Sequence, residues 1–485
     1  MDKLRLNSIL FIVGISTSKV VTFMLFPFLY ALFTETSGYI EFLSAILLAA
    51  VPSFFFMRPG VKTDFDFPTR DYFLITCIIW LVDCTFAAMP FYFMLECSYT
   101  DAFFETMSGL TTFGGTVLNN LESLPPAILL WRSMLQWIGG VGFVVVAVAL
   151  LPKLNVGGMK LFQSEASEKN KDTPKATTIA KNIIGVYLIL TLLCCLCFHL
   201  CGMSLFDAVC HAFTTTATGG FSTSDSSMSR FSPSAQWVCV LFMLAGSFPF
   251  MLFVKSVKRR SISTLLGNQQ VRGYLRFIGI MSLILTAALL VGSNFSLEEA
   301  VRHAVFNVVS IITTSGFSLG NWASWGSFAC LVILLILPIG GCTGSTSGGI
   351  KFFRLQIIEI LFRKQCQELL HPNAVIAQTY QGHRIDDALI RSVVAFLLSY
   401  IMLLMVSSMV LAAENVDVVV AITSSMSAIS NVGPSFGDAA VSSGCYGQLP
   451  DVSKWMLSFD MLCGRVEILT VMVLIVPMFW RDSAR

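Results

Sequence analysis

Ser108-Gly109-Leu110-Thr111-Thr112-Phe113-Gly114 closes a short amphipathic stretch that lies between two long apolar runs. The same kind of tetrad closes three later stretches in the same setting: Thr216-Ala217-Thr218-Gly219, Thr313-Thr314-Ser315-Gly316 and Ser430-Asn431-Val432-Gly433. With Thr111-Thr112-Phe113-Gly114 they make four, and their glycines recur every 97 to 117 residues. The chain thus reads as a fourfold array of one hairpin. A single glycine of this kind could simply cap a helix C-terminus. Four in identical company can surround an axis, which makes the chain a candidate ion pathway.

Composition sets the solvent. Of 485 residues, 55% are hydrophobic and 12% charged, and the mean hydropathy is +0.76. Soluble chains carry about 25% charged residues, so this is an all-α polytopic membrane protein. Stretches near the 20 residues that cross a bilayer as helix run over Ile183 to Cys201, Ile278 to Val291 with its flanks, Val393 to Ala413, and Ile468 to Trp480 with the preceding turn. The N-terminal apolar run is too long for a signal peptide and lacks a small-residue cleavage site. Most of the fourteen cysteines, Cys194, Cys195, Cys197 and Cys201 among them, lie in apolar runs. They read as packing residues rather than, with His199, a metal site.

Two apolar helices, near Leu6 to Phe33 and Tyr39 to Met57, precede the repeats. The expected units are residues 1–70 for this pair, 71–180 for repeat 1 with a cytoplasmic linker, 181–272 for repeat 2, 273–384 for repeat 3 with an intramembrane loop and a cytoplasmic segment, and 385–485 for repeat 4. Each repeat reads as long helix, short re-entrant helix, tetrad, return helix. The short helices fall at Tyr99 to Leu110, Leu205 to Thr215, Leu297 to Ile312 and Val416 to Ile429. Acids near their starts (Asp101, Asp207, Glu298, Glu299, Asp417) suit the positive helix end, and the negative end then faces the tetrad.

Lys and Arg concentrate in Arg58 to Arg70, Lys153 to Lys181, Lys255 to Arg276 and Lys351 to Arg391. Positive loops are cytoplasmic, so the tetrads enter from outside. Only Arg132, Arg230, Arg302 and Lys454 share the tetrads' side. The links Asn155 to Lys181 and Arg259 to Arg272 read as cytoplasmic connectors. The segment Leu355 to Asp387 reads as an amphipathic surface helix and loop, either a partner's docking surface or a solvated connector.

An ion leaving water must have its hydration shell replaced, and backbone carbonyls turned to an axis can do this. Glycine permits the required dihedrals and leaves the lumen clear. A second unusual stretch follows Pro338: Gly340-Gly341-Cys342-Thr343-Gly344-Ser345-Thr346-Ser347-Gly348-Gly349. Five glycines in ten residues cannot run cheaply as helix. It is read as a flexible mid-membrane interruption, either a movable pore obstruction or a packing kink. Neither a phosphate loop nor a serine-hydrolase elbow fits its spacing. Arg465 lies in the last span and is either a cationic brake on the pathway or a structural partner of Glu467 or Asp460. Lys19 and Asp83 are read as snorkelling or internally paired.

These motifs, with Thr216 to Phe221, Thr313 to Phe317, Ser430 to Pro434, Gly340 to Lys351 and Gly464-Arg465-Val466-Glu467, resemble the Trk/Ktr/HKT superfamily of K+ transporters over nearly the whole chain. The two-helix preface and length are nearer its TrkH branch. The resemblance implies a pseudo-fourfold pore in each subunit of a homodimer in the bacterial inner membrane. It implies K+ at the sixteen tetrad residues, constriction beneath by Gly340 to Gly349 and Arg465, and control by a cytoplasmic TrkA-like nucleotide-binding ring. No cofactor in this chain and no nucleic acid are implied. Phe113 and Gly115 depart from the family's usual Thr-Thr-Thr-Gly-Ala first loop, which bears on the strictness of K+ over Na+. The alternatives are a Na+-permeable or H+/Na+-coupled K+ transporter of the same fold and, more distantly, an intramembrane enzyme using Ser, Cys and His in the broken helix, where no His or paired carboxylate lies near Ser345 and Ser347.

Overall fold

The computed structural model describes residues 3–58, 69–149, 176–292, 295–374, 376–436 and 445–481. Helices Lys3–Phe33 and Tyr39–Met57 pack as an antiparallel pair ahead of four similar units. The first unit runs Thr69–Ala87 with Met89–Met94, then the short helix Tyr99–Leu110, then Pro126–Ala149. The second has Ala176–Leu200, Leu205–Thr216 and a broken return, Pro233–Ser247 with Phe250–Arg259, bent by 94°. The third has Gln269–Gly292, Leu297–Ile312 and Ser327–Ile336, followed by a non-helical stretch up to Phe352–Leu370. The fourth has Asp387–Ala413, Val418–Ser430 and Asp451–Val466, continued by Ile468–Ile475 and Pro477–Arg481. A two-strand ribbon, Thr379–Tyr380 with His383–Arg384, follows the third unit.

Among the described residues six helices are long and apolar enough to cross a membrane, or seven if the bent pair counts as one. Their outer faces need a non-aqueous neighbour. Leu192, Leu196 and Leu200 on Ala176–Leu200 are 70%, 54% and 76% exposed, one apolar stripe at helical spacing that lipid can cover. The four short helices have 12, 12, 16 and 13 residues. At about 1.5 Å per residue none reaches the roughly 30 Å of a hydrocarbon core.

Their starts follow from side-chain capping. Ser98, Ser204 and Ser296 each accept a hydrogen bond from the backbone N–H three residues on, at Asp101, Asp207 and Glu299. The acid thus occupies the third helical position of a Ser-x-x-Asp/Glu box, and only Asp417 caps its helix directly.

Two return helices differ from the expected straight spans. The stretch Ile468 to Trp480 is not one helix: it stops at Ile475, where Val476 is extended, and resumes at Pro477, while Glu467, at φ 74°, splits it from Asp451–Val466. The Glu467 carboxylate is instead spent on Arg354, at 2.7 Å. In the second unit Pro249, which has no N–H to continue a ladder, follows the end of Pro233–Ser247. The connector expected at Asn155 to Lys181 lies largely outside the described residues, as do most of Arg58 to Arg70.

Candidate functional site

The four short helices end alike. The backbone N–H of Phe113, Gly219, Ser315 and Val432 reaches back to the carbonyl of Ser108, Thr214, Ser310 and Ser427 at 2.9, 2.8, 2.8 and 3.1 Å. This is the longer bond of a Schellman turn. The residue inside each turn is left-handed: Thr112, Thr218, Thr314 and Asn431, with φ 57°, 53°, 55° and 53°. Glycine adopts this conformation freely, whereas a β-branched residue there costs roughly 1–3 kcal/mol. Three threonines therefore hold a strained geometry at equivalent places. The glycine itself comes two residues later and is not the cap.

Those glycines are Gly114, Gly220, Gly316 and Gly433, with φ 87°, 84°, 75° and 108°. The second loop is thus in register as Ala217-Thr218-Gly219-Gly220, one residue on from the expected Thr216 to Gly219. Thr216 is the last residue of its short helix. The sequence carried the signal, since Gly220-Phe221-Ser222 matches Gly316-Phe317-Ser318.

Each glycine abuts the next loop. A Cβ added at Gly114 would stand 2.1 Å from Gly219 O; at Gly220, 2.1 Å from Ser315 O; at Gly316, 1.9 Å from Val432 O. At Gly433 it would stand 2.8 Å from Phe113 O. The contacts run from loop 1 to 2 to 3 to 4 and back to 1, so the turns close on a common centre. No side chain fits between them. A cavity of about 230 Å³ is lined by Gly114, Gly220, Gly316 and Pro434, one residue from each loop, together with Thr116 and Asp225. The side chains of Thr112 and Asn431 carry buried oxygens with no hydrogen-bond partner.

Phe113 is fully buried, and its ring packs against Tyr446 and Phe104 at 5.5 and 6.4 Å between centroids. A Cβ at Gly115 would lie 2.4 Å from Phe113 Cε1 and 2.5 Å from Tyr446 Cε2. The two departures from the family pattern are therefore one exchange: the ring of Phe113 takes the space that a residue larger than glycine at 115 would need. Tyr446 also donates from its hydroxyl to Gly433 O, at 2.5 Å.

The glycine-rich stretch lies against the turns and is tied down rather than slack. Its ends pair, with Gly340 N–H to Ile350 O and Ile350 N–H to Pro338 O, both 2.9 Å. Its middle docks on the end of Pro233–Ser247, whose last carbonyls have no partner within the helix. Cys342 N–H donates to Ser247 O at 3.0 Å and Thr346 N–H to Gly246 O at 3.2 Å. Across the 94° bend, Phe250 N–H donates to Gly344 O at 3.0 Å. Gly348 N–H donates to Thr314 Oγ1 at 2.7 Å, and the Thr346 hydroxyl contacts Thr216 O and Thr218 Oγ1. Ser345 donates to Cys342 O, and Lys351 Nζ donates to Ser347 O. The Thr343 and Ser347 hydroxyls are buried.

Arg465 is buried at 1% exposure. It donates to Thr346 O at 2.6 Å and Gly139 O at 3.0 Å, bridging the loop to the return helix of repeat 1. The structural pairs considered for it do not form: Glu467 binds Arg354, and Asp460 accepts from Ser407 at 2.6 Å. Asp83 accepts from Ser16 and Thr17, while Lys19 is exposed.

Several polar residues that sequence reading left aside hold the turns. Gln136, on the repeat 1 return helix, donates to Gly219 O at 2.6 Å and accepts from Phe221 N–H at 3.0 Å. The four basic residues on the tetrads' side each clasp a neighbouring repeat. Arg132 reaches Ser222 O, Arg230 reaches Glu122, Arg302 reaches Gln236, and Lys454 reaches Asp101. Their isolation in sequence, which orients the hairpins, is the signal that also marks them as clasps.

The model of the TrkH family, described as cation transport protein, matches residues 40–482. The chain is similar to the Trk system potassium uptake protein TrkI of Halomonas elongata, with 39% identity over 84% of both chains. It is 36% identical to the TrkH protein of the same organism, over 99% of this chain and all of the other. With the Escherichia coli TrkH protein it shares 35% identity, over 95% and 96% of the two chains. The crystal structure of the potassium transporter TrkH from Vibrio parahaemolyticus superposes with a TM-score of 0.91 at 33% identity, covering 98% of this chain and 99% of that one.

Proposed function

This chain belongs to the TrkH family of cation transport proteins, a K+-uptake membrane protein and not an enzyme, and from that premise we propose how it conducts. K+ enters from outside, sheds water at the ring of turns and is coordinated there by backbone carbonyls of the four loops. The observation that carries this reading is the closed sequence of contacts in which Gly114, Gly220, Gly316 and Gly433 each meet the neighbouring loop's backbone. Carbonyl dipoles at fixed spacing replace a hydration shell without a formal charge that would hold the ion too tightly. The buried hydroxyl of Thr112 supplies a further ligand on the same path.

The glycine-rich stretch 340–349 and Arg465 form the obstruction beneath. A guanidinium buried beside Thr346 O repels a passing cation and holds the loop in place, so opening requires both to move. We assign that movement to a cytoplasmic nucleotide-binding ring acting on a homodimer in the bacterial inner membrane. Phe352–Leu370, with Phe362, Leu369 and Leu370 exposed, offers that ring a surface. The packing of Phe113 against Phe104 and Tyr446 argues for K+ preference over the Na+-permeable alternative, because its bulk is taken up behind the turn.

The test is 86Rb+ uptake into proteoliposomes holding the full chain, with K+ and Na+ as competitors and with imposed Na+ or proton gradients. Uptake suppressed by K+ and indifferent to both gradients is expected. Uptake driven only by a Na+ or proton gradient would replace the channel-like reading with a coupled one.

A further inference from the structure

We propose that Glu105, His211, Asn307 and Ser424 are positioning residues for the filter, one per repeat, that set ion selectivity by bracing each turn from behind. The inference rests on the filter reading above. Each of the four stands seven residues before the left-handed residue of its own loop: Thr112, Thr218, Thr314 and Asn431. Each is fully buried. Each hydrogen-bonds the limb four or five residues beyond that left-handed residue. No two have the same side chain, so a comparison of residue types does not find them.

The bonds are specific. Glu105 accepts from Thr116 Oγ1 and Val117 N–H, both at 2.9 Å, and is held by Arg132 Nε at 2.6 Å. His211 Nδ1 lies 2.8 Å from Asp207 O, and a carbonyl can only accept, so Nδ1 carries the proton. Its Nε2 then accepts from the Ser222 hydroxyl at 3.0 Å. Asn307 accepts from Leu319 N–H at 3.1 Å and Trp322 Nε1 at 2.8 Å, and donates to Leu319 O at 2.9 Å. Ser424 donates to Ser435 Oγ at 3.3 Å.

A turn held at its helix end and again on the limb beyond it cannot widen or narrow freely. K+ and Na+ differ in the cavity size and carbonyl number they prefer, so the fixed spacing discriminates between them. The braces are graded. Asn307 makes three bonds to its limb and Ser424 a single long one, with Thr423 and Tyr446 also holding loop 4, so loop 3 depends most on its neutral brace and loop 4 least. Glu105 has the most partners, but it is a poor test site because removing it strands Arg132 in the interior.

The experiment compares 86Rb+ uptake and its Na+ competition for the full chain in proteoliposomes. The variants are Asn307→Ala, His211→Phe, His211→Gln and Ser424→Ala. Losing a buried bond that sets spacing should lower the K+/Na+ ratio about 5- to 10-fold in Asn307→Ala and His211→Phe. Ser424→Ala should lower it only about twofold. Phe keeps the ring that packs on Phe231 and Phe317 but cannot accept from Ser222. Gln can place its amide oxygen near Nε2 and should keep the ratio within about twofold of wild type. Folded Asn307→Ala and His211→Phe variants with the wild-type ratio would overturn the proposal, even if their flux or melting temperature fell. Should Asn307→Ala fail to fold, the contrast between His211→Phe and His211→Gln decides. A wild-type chain that takes up no 86Rb+ sinks the transport reading itself; a selective wild type with unmoved variants sinks only the braces.

Discussion

The ring of turns and the stretch from Gly340 to Gly349 are both glycine-rich, non-helical and buried, yet they are held in opposite ways. The ring is made four times over. Every turn has the same backbone bond, a left-handed residue at the same place and a glycine against its neighbour, so each contact is supported by three copies of itself. The loop is made once. It borrows its partners from elements with other duties: the end of Pro233–Ser247, the hydroxyl of Thr314, and one arginine. Repetition gives rigidity, and borrowed partners give something that can be released. The difference is the one that the proposed roles require, a filter that keeps its dimensions and a gate that moves.

The largest effect should follow from breaking the ring. In Gly316→Ala the new Cβ meets Val432 O at 1.9 Å while the backbone stays at φ 75°, so neither relaxation nor a rotamer change relieves it. We expect K+/Na+ selectivity in 86Rb+ competition to fall about tenfold or more; unchanged selectivity would detach this glycine from the filter. Gly220→Ala should do the same, whereas Gly219→Ala should act through Gln136, whose amide lies 2.3 Å from the added Cβ. Gln136 could yield, so a smaller loss is expected. Equal effects at 219 and 220 would undo the revised register of the second loop.

Releasing the loop should raise flux rather than change selectivity. Arg465→Ala removes the donors to Thr346 O and Gly139 O, and uptake should rise about tenfold at equal protein, since two charge-assisted bonds holding the shut state are gone. A folded variant with wild-type flux would leave Arg465 structural. Deleting two residues within Gly344 to Gly348 should raise flux about three- to tenfold, by losing bonds such as Phe250 N–H to Gly344 O; unaltered flux would count against a gate. The smallest effect concerns Phe113. Gly115→Ala should destabilise the protein by about 1 kcal/mol more in the presence of Phe113 than in Phe113→Thr. Thermal melts of the four proteins in the cycle measure that coupling, and simple additivity would mean the two positions are independent.

Much of this arrangement was readable in the residues. The ends of the short helices match to within two positions, because Ser or Asp caps at the start and a break in periodicity at the end are local signals. The second loop lies one residue on because Gly219-Gly220 offers two glycines, and only the fold shows that the second abuts the next loop. The bends at Pro249 and Glu467 were not read. Apolar composition reports burial in a membrane, not the direction of the backbone, and Glu467, paired with Arg354, takes its positive φ with no glycine to announce it. The braces were invisible for another reason. Glu105, His211, Asn307 and Ser424 share a position but no chemistry, and only coordinates reveal that one task is performed by four kinds of side chain.

The docking of the loop on the end of Pro233–Ser247 has a consequence for energetics. When the loop leaves, the carbonyls of Gly246 and Ser247 and the amides of Cys342 and Thr346 lose one another and must be wetted. Under the proposed gating, unblocking the pathway is therefore a hydration reaction, with water as a stoichiometric reactant. A solute too large to enter the pore lowers water activity outside it and should favour the shut form, linking permeation to the osmotic state of the cell through nothing more than peptide groups in need of a partner.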